Sequence, residues 1–294
     1  MTNVLYRPRK ILIALDGSDA SRFALAYAAG LAACVGDPPM IALQVVPTLT
    51  FMPSIPGSGP VTGDLVEQNR VRQEQIHQQL SEEIAPYRER FDWEVEACPG
   101  SGGAAVAREA EERGVQLIVA GSHGRTGARR VLLGSFAEQL IRHSTVPVLV
   151  IRQPTGGSPD SPDKAPPAFP PSRVIAPTDF SKPAWHGVKF AASLAAACEA
   201  PLQVLHVLKE DGDPEAAEAT WLTELEQMSP DAPMAPLRII TGDAPEAIAE
   251  AAGEQPGAIV VISSKGRTGA ARLLLGSVAE KTARTAPCPV LIVK

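Results

Sequence analysis

The chain repeats itself, and the repeat restricts the folds open to it. Ala97–Arg152 lies on Ile239–Lys294 without a gap, and about 23 of the 56 positions are identical. The best-kept part is Gly121–Ser135, GSHGRTGARRVLLGS, matched by Ser263–Ser277, SSKGRTGAARLLLGS. The amino-terminal parts also match, at a larger offset: ILIALDGS at Ile11–Ser18 lies on VIAPTDFS at Val174–Ser181. A segment that occurs twice folds twice, so each copy needs its own core. A chain of 294 residues has room for that, at roughly 100–150 residues per domain. The expected division is a first domain over 1–152, a linker over 153–172 and a second domain over 173–294. The linker is rich in Pro, Gly, Ser and Asp, a composition that makes no core.

Within copy one, apolar runs alternate with helical patterns. Strands are expected at 10–15, 40–46, 92–97, 115–120 and 146–151, and helices at 19–35, 64–87, 103–113 and 136–143. A long loop rich in Pro and Gly is expected at 47–63. Copy two repeats the order with strands at 173–177, 201–208, 236–240, 258–262 and 288–293. Its helices are expected at 182–198, 214–228, 244–252 and 278–285. Continuous apolar strands alternating with helices imply a parallel sheet covered on both faces. Right-handed crossovers make each copy an α/β, doubly wound domain. Ligands of such sheets sit beyond the carboxyl ends of the strands, at the switch point.

The repeated glycine stretch falls at that place. It leaves an apolar strand and ends at a helix N-terminus, where unpaired N–H groups and the helix dipole favour an anion. Asp16 and Asp179 fall at the end of each copy's first strand. Such a carboxylate accepts from an exocyclic amine or a ribose hydroxyl, and equally well forms a turn or cap. Ser135 with Glu138, and Ser277 with Glu280, read as capping boxes. His123, Arg125, Arg130, Lys265, Arg267 and Arg272 bring cations to the loops, either for phosphate or as solvated charge.

Other chemistries lack their residues. No G-x-x-x-x-G-K-[ST], H-E-x-x-H or tight G-x-S-x-G pattern occurs, and the loop follows the fourth strand rather than the first. His77, His186 and His206 form no sequence cluster. Cys34, Cys98, Cys198 and Cys288 are scattered and read as reduced thiols. The net charge of −6, without a basic run, argues against nucleic acid. No apolar run is long enough for a signal core or a membrane span, so the expected location is cytoplasmic.

Gly121-x-x-Gly124, Gly134-Ser135, Asp16 at the first strand, and Pro147-Val-Leu-Val with its twin Pro289-Val-Leu-Ile together resemble the universal stress protein family. The resemblance covers both copies and implies a tandem member, each copy with five parallel strands and an ATP site. Carried over position by position, it implies cofactor-binding roles for Ala14, Asp16, Val45, Ala120, Gly121, Gly124, Gly134, Ser135 and Phe136. In copy two the matching positions are Pro177, Asp179, Val207, Ile262, Gly266, Gly276, Ser277 and Val278. Mg²⁺ is expected to ride with the phosphates, with no protein ligand set and no catalytic residue assigned. Hydrolysis is expected to be slow at most, with a sensor or regulator role in stress response. Two rival readings are a stress scaffold acting through protein contacts and a related adenine-nucleotide enzyme. Ser263 replaces the first loop glycine; if that position needs a positive φ, copy one is the better site. The resemblance further implies that last strands pair, here within one chain, with homodimerisation and regulatory protein partners left open. A linker of about 20 residues reaches roughly 25 Å, enough for that pairing. The loop over 47–63 lies on the ligand side, where a lid would close.

Overall fold

The computed structural model describes residues 7–46, 62–122, 133–152, 169–227, 235–266 and 275–294. Gly124, most of the long loop, most of the linker, and His123, Arg125, Arg130, Arg267 and Arg272 lie outside them. In copy one the strands are β1 (Ile11–Ala14), β2 (Met40–Val46), β3 (Trp93–Pro99), β4 (Leu117–Gly121) and β5 (Val148–Ile151). Its helices are α1 (Asp19–Val35), α2 (Thr62–Glu83), α3 (Gly102–Glu112) and α4 (Ser135–His143). Copy two has β6 (Val174–Thr178), β7 (Leu202–Leu208), β8 (Leu237–Thr241), β9 (Ile259–Ser263) and β10 (Val290–Val293). Its helices are α5 (Lys182–Ala197), α6 (Pro214–Gln227), α7 (Ala244–Gly253) and α8 (Ser277–Thr285).

The strands form one sheet in the order β3-β2-β1-β4-β5-β10-β9-β6-β7-β8. Pairing is parallel within each copy and antiparallel only where β5 meets β10, with Leu149 opposite Leu291. Each copy is therefore a doubly wound α/β unit whose fifth strand is internal. Alternation along the strands feeds two cores. Ile11 and Ile13 pack with Tyr27, Leu80, Trp185 and Trp221 on one face; Leu12 and Ala14 pack with Val106, Leu140, Ile248 and Ala283 on the other. Both cores run through the seam, so the copies share their apolar interior. The pairing also removes two bare apolar edges.

Polar contacts at the seam follow the internal symmetry. Arg152, just after β5, donates Nη1 to the Ala286 carbonyl at the end of α8, at 2.8 Å. Its counterpart Lys294, just after β10, donates Nζ to the Ile141 carbonyl in α4. Each cation thus caps the other copy's helix at its negative end. Arg284 joins Glu280 at 2.8 Å and reaches Glu138 of the other copy at 3.8 Å. These pairs explain why the expected capping boxes do not form. The helices start at Ser135 and Ser277, with Gly134 and Gly276 in the cap positions and no side-chain cap bond. Glu138 turns instead to Arg142 at 2.9 Å, one turn on. By contrast Ser18 and Ser181 do cap α1 and α5, accepting from the Ser21 and Ala184 amides.

Helix-to-sheet approach explains the glycine that only copy one carries. A Cβ on Gly121 would lie 2.8–2.9 Å from backbone and Cβ atoms of Ala20, so the glycine lets α1 press onto β4. Gly121 has no positive φ, and neither has Ser263. In copy two the missing Cβ is on the helix: Gly187 of α5 faces Ser263, and its Cβ would lie 3.1 Å from the Ser263 amide. The exchange removes the expected ground for ranking copy one above copy two.

Substitutions at these positions and at the seam check the packing. Gly121→Ser should destabilise the fold by about 1–3 kcal/mol through overpacking, read by urea unfolding, with Ala20→Gly recovering part of the loss. Ser263→Gly should cost about 1 kcal/mol or less. Arg152→Ala should cost on the order of 1 kcal/mol by uncapping α8, leaving the unfolding m-value unchanged.

Candidate functional site

In copy two the site begins with a proline. β1 pairs with β4 as far as Ala14 opposite Ala120. The equivalent ladder between β6 and β9 ends at Ile175 opposite Val260. Pro177 has no N–H to give, so β6 parts from β9 there while still pairing with β7. The gap opens at the carboxyl ends of the strands, where the order of the sheet reverses.

Asp179 follows at once. Its Oδ1 accepts the Ser181 amide at 3.0 Å, and Asp16 accepts the Ser18 amide at the same distance. Both aspartates are therefore turn formers that start the first helix of their copy. The residue after Asp16 is Gly17, at φ +76°; after Asp179 the left-handed position holds Phe180, at φ +61°. A bulky side chain there is strained by about 1–2 kcal/mol. The Phe180 ring stacks on His206, centroids 4.3 Å apart, and His206 Nδ1 lies 2.8 Å from the Thr178 carbonyl. Copy two thus braces its first turn with an aromatic pair that copy one lacks. Sequence reasoning missed this brace; the cue was a phenylalanine standing where the other copy has glycine.

The two ends of each glycine loop are tied in the same way. Gly276 N–H donates to the Ser264 carbonyl at 2.8 Å, and Gly134 N–H donates to the Ser122 carbonyl at 2.8 Å. Ser264 N–H and Ser122 N–H in turn bond Val293 and Ile151 on the last strands. Each loop therefore leaves and returns through one pinned point at the start of α4 or α8. Gly266 backs onto the aspartate: a Cβ there would lie 2.8 Å from Asp179 Oδ2.

These elements enclose a cavity of about 250 Å³. All eight copy-two positions line it: Pro177, Asp179, Val207, Ile262, Gly266, Gly276, Ser277 and Val278. Leu205, Ala244 and Ile248 complete an apolar wall, and Lys265 is the cation in its lining. The wall contributed by α7 was absent from the sequence reading; Ile248, on the buried side of an amphipathic helix, was its available signal. The volume is just under the roughly 300–1,000 Å³ usual for small-molecule sites. The lining thus presents an apolar wall, a carboxylate and the start of α8 to one cavity.

In copy one Ala14 and Ala120 are buried neighbours on adjacent strands. Asp16, Val45, Gly121, Gly134 and Phe136 are half-buried, and Ser135 is exposed. Gly124 lies outside the described residues. Among the described residues no group of three His, Cys, Asp or Glu side chains is arranged to hold a metal ion. No described helix is long and apolar enough to cross a membrane.

The model of the universal stress protein family matches residues 8–152 and again 171–294. A universal stress protein of Methanocaldococcus jannaschii, MJ0531, is 32% identical over 150 residues, 50% of this chain and 83% of its own. The crystal structure of a universal stress protein from Archaeoglobus fulgidus covers 98% of this chain, with 99% of its own covered, at TM-score 0.70 and 22% identity. A universal stress protein solved in complex with cAMP matches 42% of this chain and 97% of its own, at TM-score 0.35 and 27% identity. With a parallel sheet wound twice and the family model matching each copy, the chain belongs to the universal stress protein family as a tandem member.

Proposed function

We propose that the chain binds an adenine nucleotide, ATP, in each copy and works as a nucleotide-dependent regulator in stress response. The observation that carries this reading is the copy-two cavity, whose lining brings together an apolar wall, an aspartate and a glycine loop ending at a helix N-terminus. The base lies against Leu205, Val207, Ile248 and Ile262. Asp179 accepts from the ligand's amine or ribose hydroxyl through a carboxylate already oriented by its bond to the Ser181 amide. The phosphates meet main-chain amides around Gly266, Gly276 and Ser277, where no Cβ stands in the way at the two glycines. Lys265 adds a positive charge at the same place.

Copy one offers the same positions at Ala14, Asp16, Val45, Ala120, Gly121, Gly124, Gly134, Ser135 and Phe136. Mg²⁺ enters with the phosphates, neutralising their charge. The chain's own residues bind and orient; none is assigned to proton transfer, so turnover is slow at most. The reading places the protein in the cytoplasm, with response passed to protein partners through the shape of the loop region. Dimerisation of the tandem chain belongs to the same proposal.

Titration of the purified chain with ATP tests it. Gly266→Asp puts a Cβ and a second carboxylate against Asp179, in the path of the phosphates. It should remove copy-two binding, a loss of at least about 100-fold for a buried like-charge clash. Gly124→Asp should do the same in copy one, and the double variant should bind neither. ATP affinity and stoichiometry unchanged in the double variant would refute the site.

A further inference from the structure

A second cavity lies over the seam, away from the nucleotide position. It is an open groove of about 620 Å³, lined from both copies. Cations line it from both copies: Arg7 and Arg9 before β1, Lys189 on α5 and Lys294 after β10, with His186 one turn before Lys189. Among the described residues no acidic side chain lines it. Arg7, Arg9, Lys189 and Lys294 have no carboxylate partner among the described residues, whereas Lys10, next to Arg9, pairs with Glu94 at 3.0 Å. Elsewhere on the surface Arg22, Arg70, Arg108, Arg113 and Arg238 sit on carboxylates.

Unpaired like charges gathered in one groove repel one another, and they stand out on a chain of net charge −6. The Lys294 ammonium itself is tucked against the Ile141 carbonyl of α4, where burial together with the charge of Lys265 in the copy-two cavity pulls it down to about 8. Arginine forks and a lysine around hydroxyls of Thr145 and Ser193 form a donor set suited to phosphate oxygens. The copy-related position cannot do this. There Phe169 lies across α1, edge-on to Tyr27 at 5.1 Å and against Gly30.

We infer that the groove over the seam is a second anion site, built by both copies, which takes a multiply charged phosphate chain. It exists only while β5 and β10 are paired, because Arg7, Arg9 and Thr145 come from one copy and His186, Lys189 and Lys294 from the other. Free polyphosphate and the phosphate tail of a nucleotide share the chemistry it recognises.

Calorimetric titration of the full chain with inorganic tripolyphosphate tests the inference, using the Gly124→Asp/Gly266→Asp background to silence the proposed nucleotide positions. One saturable site should remain there and weaken steeply with salt. Arg9→Glu or Lys189→Glu should weaken it about tenfold each, and the pair should abolish it. Both side chains are exposed, so far-UV circular dichroism and melting temperature should stay unchanged. A parallel titration with ATP distinguishes the sources: tighter binding than tripolyphosphate marks a nucleotide tail, equal or weaker binding marks free polyphosphate. No saturable tripolyphosphate site in that background, or one indifferent to both reversals, overturns the inference. The nucleotide reading stands apart, since it is judged by ATP binding to the chain without the background changes.

Discussion

Two backbone hydrogen bonds carry most of this structure's meaning. Gly276 to Ser264 and Gly134 to Ser122, each 2.8 Å, tie the return of a glycine loop to the strand it left. Serines 264 and 122 are buried and bound in turn to the last strand of their copy. The loop mouth is thereby fixed to the sheet, and the helix that follows starts at a set place. The glycine at position 276 keeps the mouth of its loop narrow: a Cβ there would lie 3.1 Å from the Ser264 carbonyl. The amides of α4 and α8 then face the carboxyl edge of the sheet without a side-chain cap. A serine cap there would have taken donors that this geometry leaves without a side-chain cap.

The seam depends on the same strands. β5 and β10 hold their loops from inside each copy and hold each other across the copies. Arg152 and Lys294 extend that linkage by capping the opposite helix. A change at a loop mouth is therefore one hydrogen bond away from the contact between copies. This is the physical route by which ligand occupancy in one copy would be felt in the other.

Much of this was legible in the sequence because the chain writes it twice. Strand and helix positions came within a few residues, since apolar runs and glycines recur in register. The site positions of copy two converge because parallel strands put their carboxyl ends on one edge. What was not legible depended on partners distant in sequence. Ser263 looked like damage to a binding glycine, but the relevant neighbour was Gly187 on the facing helix. Ser135 and Glu138 matched a capping box, but Arg142 and Arg284 compete for that glutamate. Pro177 was read as a pocket residue, and its larger effect is to end the ladder between β6 and β9. The Phe180–His206 brace could not be seen without knowing that the turn requires a left-handed residue.

Native mass spectrometry of the purified chain, with and without added ATP, tests the central claim most directly. The account predicts mass increments of an adenine nucleotide up to two per chain, falling to one in Gly266→Asp. A spectrum with no nucleotide increment at saturating ATP, from protein whose circular dichroism shows it folded, would contradict it.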